Sequence, residues 1–168
     1  MGKLIHVPNE LIHPYFFPIL KIEWEEEQSL NQQYPFHHEI AYYSEIPYIR
    51  PWETPEKSIL ILLTEWKSVK AELEQSISRG EKGKILTLMK RAIILLFEFL
   101  FWTNKTPVLF PMGTIHELKI KPMNCQERIE FILSKPSLYH AFVQLSELFN
   151  EQEKHFMKAQ VLAKKIRE

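Results

Sequence analysis

The chain is short of glycine, with 4 in 168 residues, and it carries a single cysteine, Cys125. One cysteine excludes an intrachain disulfide and favours a reducing compartment. So little glycine argues against a sheet fold built on many tight turns. Net charge is missing too. Because 21 Lys and Arg stand against 21 Asp and Glu, no overall field draws the chain to nucleic acid or anionic lipid. The start offers no apolar stretch long enough for a secretory signal, since Pro8 and Asn9 interrupt it. Gly2 is not followed by the Ser or Thr that myristoylation favours, because position 6 is His6. Asn104-Lys105-Thr106 spells a glycosylation acceptor, which has no consequence without secretion. These absences predict a cytoplasmic protein with no membrane segment.

What is present suits a globular protein: 45% hydrophobic and 25% charged residues. A single domain over 1–168 is expected, with 54–168 supplying the main helices. Residues 1–53 form an aromatic- and proline-rich segment that wraps them. In that segment 8–13 suit one helical turn before Pro14, and 23–33 suit a helix anchored by Trp24 and Leu30. A third short helix is expected over 36–45, ending before Pro47. The many rings here, from Tyr15, Phe16 and Phe17 to Tyr48 and Trp52, bury much area with little regular structure.

From Thr54 the helical signals sharpen. Thr54 and Pro55 read as an N-cap followed by proline at the first helical position. Ile59, Leu62, Trp66, Val69, Leu73 and Ile77 follow at helical spacing until Gly80 and Gly83 interrupt. The next helix spans about 84–103. Ten of the eleven residues from 92 to 102 are apolar, so this helix is buried or in a membrane. With Thr87, Lys90, Arg91 and Glu98 in the window it is too polar and too short to span, which makes it the central helix of the fold. Residues 105–122 form a long connection with Pro107, Pro111, Gly113 and Pro122, a weak pointer to a site. Asn124 and Glu127 open a short helix in the manner of a capping box, and Pro136 stops it. The last helix starts at Ser137 and carries Leu138, Phe142, Leu145, Phe149, Phe156, Ala159, Ala163 and Ile166, with Gln152 in the one gap. About 30 residues make it about 45 Å long, more than the roughly 40 Å width of a domain this size. Its charged end is therefore expected to project. The fold class is all-α: an irregular helical bundle with a buried central helix and a long C-terminal helix.

Few groups carry chemistry. Glu10 and His13 have the spacing of half a di-iron motif, but no second copy exists and Pro14 ends the turn. Glu151 and His155 share a helix face as an exposed polar pair. No CxxC, HExxH or Gly-rich phosphate loop occurs, so no catalytic residue, metal site or cofactor is assigned. Lys82, Lys84, Lys90 and Arg91, with the basic C-terminal end, make a patch interleaved with acids, and nucleic acid is not the expected partner. Cys125 sits in a first helical turn, where the dipole can lower a thiol pKa, although a small buried residue is the simpler explanation.

The densest polar chemistry beside aromatics is His37, His38 and Glu39, with Arg50, Trp52 and Glu53 nearby. Such a set can line a small-molecule pocket. Equally, Arg50 can pair with a carboxylate and anchor its segment. Glu98 is the other pointed residue, because a carboxylate in an apolar helix is paired, protonated or turned to solvent. Arg91, Arg128 and His140 are its candidate partners. A candidate pocket therefore comprises His37, His38, Arg50, Trp52 and Glu98.

The run from Asn124 through Glu127-Arg128-Ile-Glu-Phe-Ile-Leu133 and Ser137-Leu-Tyr-His140 to Phe149, with Tyr48-Ile-Arg-Pro-Trp52 upstream, resembles the YpoC-like family. That resemblance covers most of the chain. It implies a small cytosolic bacterial protein and places no residue in a catalytic role. Two functional expectations follow: a non-enzymatic protein–protein interaction or adaptor domain, engaged through the C-terminal helix, and a small-molecule or metal-binding protein using the candidate pocket.

Overall fold

The computed structural model describes residues 2–25 and 34–167. Its elements run β1 (Lys3–His6), β2 (Lys21–Trp24), α1 (His37–Tyr43), α2 (Pro55–Arg79), α3 (Lys82–Thr103), α4 (Cys125–Ser134) and α5 (Tyr139–Arg167). Short 3-10 turns lie at Asn9–Leu11, Pro51–Glu53 and Met112–Glu117. The protein is thus mostly helical with one small sheet, and among the described residues no helix is long and apolar enough to cross a membrane.

The sheet corrects the all-α expectation. Lys21–Trp24 was expected to lead into a helix over 23–33; instead it pairs antiparallel with β1, Ile5 opposite Ile22 and Leu4 opposite Glu23. The physical reason is a period of two. Ile22 and Trp24 are buried while Lys21 and Glu23 face out, an alternation that a strand satisfies and a helix does not. The remainder of that expected helix, 26–33 with Leu30, lies outside the described residues. Residues 8–13 give the 3-10 turn Asn9–Leu11, and 36–45 give α1.

Proline at the first position starts α2, but the Thr54 side chain makes no cap bond to the backbone. Its hydroxyl lies 3.5 Å from that of Ser58 instead. At the other end Gly80 takes the left-handed conformation, φ 68°. Its N–H donates to the Ile77 carbonyl at 3.1 Å and the Glu81 N–H to that of Ser76 at 3.0 Å, the paired closure of a Schellman motif. The chain turns back at once into α3, which lies along α2. Every residue of α3 from 92 to 103 is buried.

Three groups cover this half of α3. From α2 and α5, Trp66 stacks on Phe149 with ring centroids 4.0 Å apart, and Phe99 meets Phe149 and Phe156. From the N-terminal segment, Phe16 and Phe36 close edge-on over Phe97. From the 104–124 connection, Phe110 lies 5.2 Å from Phe97. Asn104 fixes that connection: its amide donates to the Leu100 and Ile120 carbonyls and its oxygen accepts from the Ile120 N–H.

The capping box expected at α4 does not form. Asn124 is left-handed, φ 54°, and makes no side-chain cap bond. Arg128 instead ties α4 to α5 through Gln144, Glu147 and Glu151, so it is not a partner of Glu98. Gln152, the gap in the apolar series of α5, is fully buried and donates to the Ile120 carbonyl at 3.1 Å. Beyond Phe156 no described residue of α5 is buried. Cys125 is buried, and burial pushes its thiol up to about 12, so the dipole does not activate it.

Phe97→Ala should cost about 3–5 kcal/mol, since it empties the meeting point of three rings. A denaturation midpoint lowered by roughly 10 °C is expected, and a shift below about 3 °C would contradict this packing. For Cys125, a pKa near 12 leaves roughly one thiol in ten thousand ionised at pH 8, against roughly a quarter for a free thiol. Iodoacetamide should therefore label the folded chain at least about 100-fold more slowly than the urea-unfolded chain, with the rate climbing as pH rises. Equal rates would show the thiol accessible and ionised.

Candidate functional site

One face of α3 carries Arg91, Leu95, Glu98 and Trp102, at steps of four, three and four. Across from it stand Ser58, Ile61, Leu62 and Glu65 on α2, and His37 and His38 at the start of α1. Between them lies a cavity of about 260 Å³, lined also by Ile49 and Pro51. The helical period gathers the α2 and α3 residues, and α1 begins directly after Phe36, which is left-handed with φ 55°.

Glu98 is 5% exposed, so nearly all its hydration is lost. Burial is the first cause of a pKa held well above the usual carboxylate range; Glu39 and Glu65 add to it, and Arg91 opposes it. Arg91 itself forms an ion pair with Glu65. Of the partners considered from sequence, Arg91 is thus the one whose charge acts on Glu98.

Glu39 is fully buried behind the cavity wall. One oxygen, Oε2, accepts from the Trp102 indole N–H at 2.8 Å and from the Val108 N–H at 3.1 Å. The other, Oε1, has no hydrogen-bond partner. Burial pushes this carboxyl up to about 7 against the pull of those two bonds. The Val108 carbonyl accepts from the Tyr43 hydroxyl at 2.9 Å, so α1 holds Val108 on both its N–H and its carbonyl side.

The histidine rings lie 4.0 Å apart, and His38 also meets Trp102 edge-on at 5.8 Å. Burial, then the Arg91 charge, lowers His37 to about 4. Burial, then His37 and Arg91, lowers His38 to about 3. Both rings are therefore neutral near pH 7, with lone pairs available. His38 Nδ1 is buried without a hydrogen-bond partner. His38, Glu39 and Glu98 each offer one ligand atom, and these atoms lie within 4.8 Å of one another.

Of the residues read from sequence as a pocket, the structure brings together His37, His38 and Glu98. Arg50 and Trp52 lie outside the lining. Arg50 approaches Glu53 at 3.5 Å and lies over the Tyr42 ring at 4.9 Å, while Trp52 packs against Tyr42. Elsewhere, His13 packs on Phe16 and Phe110, and its Nδ1 accepts from the Tyr15 N–H. Glu151 is held by Arg128. Sequence reading passed over Glu65 and gave Trp102 no role. The available signal was position: Trp102 lies four residues after Glu98, and Arg91 seven before it.

No solved structure matches the chain. A Bacillus subtilis (strain 168) protein described as uncharacterized protein YpoC is 37% identical over 115 residues, which is 64% of this chain and 68% of that protein. The sequence profile of the YpoC-like proteins matches residues 56–164. That range holds Glu65, Arg91, Glu98 and Trp102, and leaves out His37, His38 and Glu39. By the extent of both matches, the chain belongs to the YpoC-like family.

Proposed function

We propose that the protein binds a small cationic ligand in the cavity between α1, α2 and α3. The observation that carries this is a surplus of carboxyl groups. Glu65 and Glu98 line the cavity with a single guanidinium, Arg91, at a site otherwise walled by Leu62, Leu95, Trp102 and two neutral histidines, and the charge of the buried Glu39 also acts on Glu98. Arg91 is already paired with Glu65, and burial holds the Glu39 and Glu98 carboxyls toward their protonated forms. An incoming cation takes the place of those protons and lets both carboxyls ionise. The cavity volume sits near the low end for ligand sites, which suits a small occupant. A cytoplasmic location, favoured by the single cysteine, belongs with this proposal.

The test is a thermal-shift panel of small cations on the whole chain: ammonium, putrescine, Mg²⁺, Mn²⁺ and Zn²⁺. At about 100 times its Kd the right class stabilises by about 2.7 kcal/mol, a rise of roughly 5–10 °C. Glu98→Gln should remove most of that rise. If none of these cations moves the midpoint, the proposal fails.

A second proposal, a protein partner for the end of α5, is favoured by a separate observation. Met157, Val161, Leu162 and Ile166 are all more than half exposed along the last turns of α5. Deleting 157–168 should then leave the melting midpoint within about 2 °C, because no described side chain lost with it is buried. A fall of more than about 5 °C would mean that this stretch serves the fold and is not free for a partner.

A further inference from the structure

We propose that His38, Glu39 and Glu98 form a binding site for one first-row divalent transition-metal ion, of the Mn²⁺, Fe²⁺ or Zn²⁺ class. This deepens the cationic-ligand proposal and rests on it. The donor set is one imidazole nitrogen and two carboxylate oxygens. Mixed nitrogen and oxygen donors suit these ions, whereas Mg²⁺ and Ca²⁺ favour oxygen alone.

The distances fit. Donors about 2.1 Å from a shared centre stand at most about 4.2 Å apart. At tetrahedral angles they stand about 3.4 Å apart, so three atoms within 4.8 Å of one another close on an ion by movements of up to about 1.4 Å, within the reach of side-chain rotation.

Two further observations point at a ligand. His38 Nδ1 and Glu39 Oε1 are buried polar atoms with no partner among the described residues, in side chains that both belong to the trio. Buried polar atoms are almost always satisfied, so two orphans in one cluster call for an occupant. Glu39 is also supported from behind. Trp102 Nε1 and the Val108 N–H hold its Oε2, the kind of outer contact that orients metal ligands. A dication between Glu39 and Glu98 neutralises both, while Glu65 keeps its pairing with Arg91. Since His38 and Glu98 also line the cavity, an ion held by them would be reached from it by water or a small donor.

The experiment uses the full chain, stripped with a chelator and dialysed, titrated calorimetrically with MnCl₂, ZnCl₂, MgCl₂ and putrescine. Expected is one equivalent of Mn²⁺ or Zn²⁺ bound far more tightly than Mg²⁺. His38→Ala and Glu98→Gln should each weaken it by at least about tenfold. Arg50→Ala, outside the cavity, should leave it unchanged. Circular dichroism confirms that each variant folds, and Co²⁺ substitution supplies a second readout: its visible bands should appear with the native chain and weaken in His38→Asn. Transition metal that binds His38→Ala and Glu98→Gln as tightly as the native chain overturns the site. Putrescine binding without transition-metal binding overturns the metal and leaves the cationic pocket standing. If nothing binds, both proposals fall.

Discussion

Half of α3 has no side that tolerates water, and this constraint organises everything around it. An amphipathic helix needs one covering partner, but residues 92–103 need cover on every side. Helices α2 and α5 take two directions through Trp66, Phe149 and Phe156. Among the described residues no further long helix packs there, so irregular chain takes the rest. Large rings make that workable: Phe16, Phe36 and Phe110 each bring more apolar area than an aliphatic side chain at the same position. At roughly 1.5–3 kcal/mol per fully buried large apolar side chain, a wrapping made of loops still stabilises strongly.

Irregular chain over a core must satisfy its own peptide groups, and here amide side chains do so. Asn104 caps α3 and engages both the N–H and the carbonyl of Ile120. Gln152 reaches the same carbonyl from α5. A single residue of the long connection is thereby held between two helices without a strand. The polar residue interrupting the apolar series of α5 is explained by that contact, and a leucine there would leave the carbonyl with one bond fewer.

Which parts were legible in the sequence follows from how far each signal reaches. Helices α2, α3 and α5 repeat their apolar pattern over many turns, and Pro55 and Gly80 mark two ends by backbone conformation alone. The caps expected at Thr54 and Asn124 rest on residue type, and neither side chain bonds the backbone at the helix start. The strand Lys21–Trp24 is only four residues long, and its partner lies earlier in the chain, so its alternation carried little weight. At the site, Glu98, His37 and His38 stood out as polar groups among apolar ones. Arg50 and Trp52 were grouped with them by closeness in sequence, yet Trp52 sits in a short 3-10 turn rather than an α-helix, and it is Ile49 and Pro51 that line the cavity. Glu65 passed unnoticed because a glutamate on a partly exposed helix face looks like any other.

The carboxylate of Glu39 gives the molecule a mechanical property. One oxygen accepts from both the Trp102 ring on the central helix and the main chain at Val108, so three stretches of chain meet at a single atom. Displacing α1 by even half an ångström has to lengthen one of those bonds or carry residues 106–110 along with it. The cavity mouth and the start of the long connection consequently respond as linked parts, with no hinge between them.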